Sequence, residues 1–105
     1  MAKHEMFLAM VLANARRVEA HAVQLTVENA NSRIDMLLLD GSSKPISAPP
    51  PDILLKIIED LERGKRYFQA NVFTANIEEV KVARGSTSMS AYVSHWKVDH
   101  CDDES

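Results

Sequence analysis

Apolar positions recur at helical spacing near the start of the chain. Phe7, Met10, Val11, Asn14 and Val18 fall on one three-and-four face, and Leu8, Leu12 and Ala15 widen it. The pattern predicts a helix from about Glu5 to Ala20. Glu5 stands early and Arg16 and Arg17 late, which complements the helix dipole. Such a broad apolar face predicts contact with a sheet and with a further element. The period then changes to two. Val23, Leu25 and Val27 alternate with Gln24, Thr26 and Glu28, as in a half-buried strand. Asn29 to Ser32 reads as a turn, because Asn accepts left-handed backbone. Arg33 to Leu39 is the return strand. Its apolar run Met36 to Leu39 predicts a central strand, or one covered on both faces.

Asp40-Gly41 closes that strand. Ser42 to Pro51 reads as a linker, since Pro45, Pro49, Pro50 and Pro51 oppose regular backbone pairing. Pro50 or Pro51 suits the first turn of a second helix. Ile53, Leu54, Ile57, Ile58 and Leu61 form its apolar stripe, and Gly64 is its expected stop. From Lys65 to Asn76 a short strand and an irregular packed segment both fit Tyr67, Phe68, Val72 and Phe73. Ile77 to Ala83 and Met89 to Val98 read as strands flanking a hairpin loop, with Val80 and Val82 inward. On the last strand strict alternation puts Met89, Ala91 and Val93 on one face and Tyr92, Trp96 and Val98 on the other.

The predicted order is α-β-β-α-β-β. Helices separated from hairpins imply an α+β fold, with both helices on one face of a small, mainly antiparallel sheet. Residues 1–98 are expected to form a single domain and 99–105 an acidic disordered tail. At 105 residues, 46% hydrophobic and 26% charged, the chain has material for one core. The net charge of -3 and a pI near 5.7 argue against a nucleic-acid binder. Cys101, the lone cysteine, allows no internal disulfide, which fits a reducing compartment. The first apolar stretch is interrupted by Asn14, Arg16 and Arg17 and is too short to span a membrane. The expectation is a cytoplasmic protein without membrane insertion.

Motifs for catalysis are sparse. No Gly-x-x-x-x-Gly-Lys-Ser/Thr segment occurs, and Arg84 to Ser88 reads as a hairpin tip. His4, His21, His95 and His100 lack the spacing of a helical zinc site. Acidic neighbours blunt Cys101 as a nucleophile. Ser94 and His95 are adjacent on a strand and so diverge to opposite faces, against a nucleophile–base pair. Glu59-Asp60 and Glu78-Glu79 read as surface charge. No catalytic residue, cofactor or metal is assigned. Tyr92 and Trp96 share the face opposite Met89 and Val93. They form an exposed aromatic patch if the helices cover the other face, or are buried if the Phe68 to Phe73 loop folds over them.

The stretch Ala13-Asn14-Ala15-Arg16-Arg17-Val18-Glu19-Ala20-His21-Ala22-Val23-Gln24-Leu25 resembles part of a known family. So do Asp40-Gly41 and Pro49-Pro50-Pro51-Asp52-Ile53-Leu54-Leu55-Lys56-Ile57-Ile58. They are similar to the N-terminal domain of the secretion ATPases of type II secretion and type IV pilus assembly, with Ile77 to Trp96 a looser match. The resemblance implies the fold and a secretion or pilus setting. The family carries arginines associated with nucleotide contact at the positions of Leu38 and Met36, and the motor domain with its phosphate loop has no counterpart here. ATP hydrolysis is therefore not implied. The leading expectation is a non-catalytic interaction or regulatory module. It would bind a protein partner or itself through the exposed sheet face or edge, with Tyr67, Phe68, Tyr92 and Trp96 as contact residues. A small-molecule sensor, and an enzyme fragment completed by another chain and using His21 or His95, are the alternatives.

Overall fold

The computed structural model describes residues 3–100. Cys101 and the rest of the acidic tail lie outside the described residues. The elements are α1 (Lys3–Arg17), β1 (Ala20–Glu28), β2 (Asn31–Leu38), β3 (Ser43–Ile46), α2 (Pro51–Glu62), β4 (Tyr67–Gln69), β5 (Phe73–Arg84) and β6 (Ser88–His100). The α+β class holds, and the order is α-β-β-β-α-β-β-β. All strand pairs are antiparallel, and the sheet runs β3-β2-β1-β6-β5-β4.

Local chemistry explains most boundaries. α1 stops at Arg17 because Glu19 adopts a left-handed backbone at φ 60, turning the chain into β1. The β1–β2 hairpin is closed by two residues, Asn29 and Ala30, at φ 50 and 64 between the paired Glu28 and Asn31. That is the tight mirror-image turn whose twist matches paired strands. Asp40 takes the Ser42 backbone N–H and hydroxyl on Oδ1, and Gly41 supplies φ 92. α2 has Pro51 in its first turn and ends at Glu62, where Gly64, φ 103, turns the chain away, with Lys65 N–H bonded to Asp60 O.

Three sequence expectations about the strands need correction. Ser43–Ile46, expected as part of an unstructured linker, is a strand paired with β2. Pro45 is tolerated because β3 is an edge strand with no second neighbour to serve. The last strand continues through Asp99 and His100, which pair with Thr74 and Phe73, so those two residues do not belong to a tail. The His100 ring also meets Phe73 edge-on at 5.0 Å. β2, in turn, is one place in from the edge rather than central, and its Leu37 and Leu38 are only half-buried.

Both helices pack on one face. Leu8, Leu12 and Ala15 of α1 meet Leu54, Ile57, Ile58 and Leu61 of α2 and the inward side chains Val23, Leu25, Ile34, Ala91 and Val93. α1 touches α2 as well as the sheet, which accounts for its broad apolar face. Met10 remains 54% exposed.

The β5–β6 ladder contains a double irregularity. Ile77 pairs with Trp96, Glu79 with His95 and Val80 with Val93, leaving Glu78 and Ser94 as extra residues. Each extra residue flips the pleat. On β6 the inward set is Met89, Ala91 and Val93, then Trp96; on β5 it is Ala75 and Ile77, then Val80 and Val82. Trp96 therefore lies with the core, opposite to the face that strict alternation assigns.

Candidate functional site

Of the four expected contact residues, two are interior. Trp96 is 4% exposed; its indole N–H donates to Leu12 O at 3.1 Å, and the Arg16 guanidinium lies 5.1 Å from its ring centre. Arg16 also donates to the Trp96 carbonyl. Phe68 has no exposed surface, and Lys65 Nζ sits 5.3 Å from its ring while reaching Glu5 at 3.5 Å. Neither side chain can meet a partner in the folded chain. Trp96 is inward because of the extra Ser94, and Phe68 because β4 pairs with β5 so that its middle residue faces α1. Helix packing, not a folded-over loop, does the burying.

Tyr67 and Tyr92 do face outward. Tyr67 is 48% exposed on the edge strand β4. Tyr92 is half-buried in mid-sheet, opposite Gln24 of β1 on one side and Lys81 of β5 on the other. Around it the uncovered face presents Gln24, Thr26 and Glu28 from β1, Arg33, Asp35 and Leu37 from β2, and Ser90 and Ser94 from β6. Gln24, Thr26, Glu28, Asn29, Asn31, Arg33 and Asp35 line a shallow depression of about 450 Å³.

Asp35 is the unusual member. It is 9% exposed, and Oδ2 meets Arg33 Nε at 2.9 Å. Its Oδ1 is enclosed and has no donor. An enclosed acceptor without a donor costs about 1–3 kcal/mol. The sequence carries a signal for it: an acid between Ile34 and Met36 in an apolar strand.

A second polar group sits where the pleat flips. Glu79 Oε1 accepts from the Ser94 hydroxyl at 3.1 Å and lies 2.7 Å from His95 Nδ1. The Ser94 hydrogen bond, then that of His95, hold the Glu79 carboxyl below the ordinary glutamate value. β1 is irregular at the same level, between Ala20 and Ala22, and His21 joins His95, Ser94, Glu78, Lys97 and Arg16 around a depression of about 430 Å³. The fold thus brings His21 and His95 together. The chemistry falls short of a nucleophile, because the serine hydroxyl donates its hydrogen bond to the carboxylate and not to the imidazole. Ser94 and His95 both reach Glu79, so they do not diverge as an unbroken strand would require. Nothing in the residue pattern reveals this, since a pleat flip has no local spelling.

No protein-family model, no curated protein and no solved structure matches the chain. The geometry therefore stands alone. Among the described residues no group of three or more His, Cys, Asp or Glu is placed to hold a metal ion. No helix among them is long and apolar enough to cross a membrane. Met36, 2% exposed, and half-buried Leu38 both pack with the helix-side core.

Proposed function

We propose that this chain is a non-catalytic protein-interaction or regulatory module that docks a protein partner on the uncovered face of its sheet. The one-sided layering carries the reading. Both helices cover one face, and the other offers Tyr92 in mid-sheet and Leu37 nearer the β3 edge, with polar residues around them. A half-buried tyrosine ringed by amides and charges is the make-up of an interface anchor. The charges favour protein over nucleic acid: Glu28, Asp35 and Glu79 are interspersed with Arg33, Lys81 and Lys97, so no basic stripe tracks a phosphate backbone. The resemblance to secretion ATPase N-terminal domains suggests the partner's setting, a secretion or pilus assembly. Inward Met36 and Leu38 make nucleotide contact at those positions no part of the proposal.

Site-specific photo-crosslinking in cells tests the reading. A crosslinker in place of Tyr92 should trap a discrete protein, identified by mass spectrometry as a secretion or pilus component. One in place of Lys56, on the wet side of α2, should trap nothing discrete. Products from Lys56 but not Tyr92 would refute the assignment of the face. A partner of another kind at Tyr92 would refute only the setting.

A further inference from the structure

We propose that the sheet edge from Glu78 to Arg84 pairs antiparallel with the same edge of a second copy of this chain, joining two sheets about a two-fold axis. This rests on the interaction-module reading and names one partner for it.

The edges of the sheet are unequal. On one side β3 is four residues long and holds Pro45, which has no N–H to offer. On the other, β4 covers only Thr74, Ala75 and Asn76 of β5, and Arg66 O takes the Ile77 N–H. From Glu78 to Arg84 nothing among the described residues pairs with the outer side of β5. Its outward N–H and C=O groups form a ready template for another strand.

The side chains select a second copy. Val80 and Val82 face the helix layer yet stay half-exposed, because the core ends at this edge. The charges run Glu78, Glu79, then Lys81, Arg84, acidic first and basic last; within the chain Glu78 already meets Lys97 at 3.5 Å and Arg84 meets Glu62 of α2 at 2.6 Å, which leaves Glu79 and Lys81 for a partner strand. Antiparallel self-pairing lays the acidic half of one strand against the basic half of the other. Parallel pairing would set like against like. With the axis at Lys81, the midpoint of the free segment, Val80 comes opposite Val82 of the other copy on the helix side. The two Lys81 side chains meet at the axis, and each has the other copy's Glu79 as a diagonal neighbour within reach of a long side chain. Glu79 is suited to this, since both its internal contacts use Oε1 and neither uses Oε2. An axis perpendicular to the sheet keeps both helix layers on one side, so the Tyr92 faces form one continuous surface.

Charge reversal with sedimentation velocity tests the pairing. The wild-type chain should sediment as a dimer at micromolar concentration. Glu79→Lys, and separately Lys81→Glu, should each weaken self-association by about tenfold or more. An equimolar mixture of the two variants should restore a dimer containing one of each. Circular dichroism confirms that each variant is folded, and Lys81→Glu alone serves if Glu79→Lys is not. A wild-type chain that stays monomeric at hundreds of micromolar overturns the proposal. So do reversed variants that each dimerise as well as the wild type. In either case crosslinking from Tyr92 to a different protein would leave the module reading standing.

Discussion

The two faces of this sheet share the same strands and differ in almost everything else. On the helix side, Phe68, Trp96, Leu25, Ile34 and Val93 are enclosed, and the Trp96 N–H finds Leu12 O. On the uncovered side, Tyr92 is half-exposed, and Asp35 is enclosed with one oxygen unmatched. Stability should therefore reside in the first face, and the second should be free to vary with recognition. Aromatic content alone does not tell the faces apart, since Trp96 and Phe68 lie on one and Tyr92 on the other.

The sharpest way to break this contrast is to truncate one aromatic on each side. Phe68→Ala should cost about 3–5 kcal/mol in urea unfolding, the range for a fully buried phenylalanine. Tyr92→Ala should cost less than about 1.5 kcal/mol, because part of the ring is already in water. Equal losses would mean that the uncovered face is as much a core as the other. Trp96→Phe is subtler. It keeps an aromatic ring while deleting the donor to Leu12 O, and a loss of about 1–2 kcal/mol is expected. A neutral result would mean that the indole N–H contributes nothing to anchoring α1.

These substitutions also show where sequence reading succeeded. The stripe Leu54, Ile57, Ile58 and Leu61 and the alternation Val23, Leu25, Val27 were legible, because a helix or strand without interruption keeps its period. β3 was not, because Pro45 argues against a strand unless the strand is known to be an edge, and edges are set by tertiary pairing. Trp96 was misassigned for a similar reason. The extra Ser94 and Glu78 are matched across two strands, and neither strand alone shows that the period slips. Of the candidate surface, the outward placement of Tyr92 was legible from parity, whereas Tyr67 was named by residue type alone. Asp35 had a visible cue, and the Glu79 group had none.

Asp35 sharpens the comparison from the other side. Arg33→Ala leaves an enclosed carboxylate with no partner, whereas Asp35→Ala removes the unmatched oxygen along with the paired one. Arg33→Ala should therefore destabilise by about 1 kcal/mol more than Asp35→Ala. The double variant should resemble Asp35→Ala alone. If instead Asp35→Ala is the more damaging, the carboxylate is a net support of the uncovered face.

The smallest effect concerns Glu79, at the point where the pleat flips. Its carboxyl is held below 4.5, first by the Ser94 hydroxyl and then by His95. A carboxylate depressed in the native state favours folding above its unfolded value, and that contribution fades as pH falls through the lower native value. The window lies at and below pH 4.5, on the acid side. Because Glu79 is exposed, global stability should hardly register it, and the readout is the carboxyl carbon shift by NMR. Ser94→Ala should raise the Glu79 midpoint toward 4.5, and His95→Ala should raise it less. An unmoved midpoint in Ser94→Ala would show that the hydroxyl does not bind the carboxylate in solution. The polar group at the flip would then be an accident of neighbouring side chains, and the uncovered face would lose one of the features that distinguish it from a plain solvated sheet.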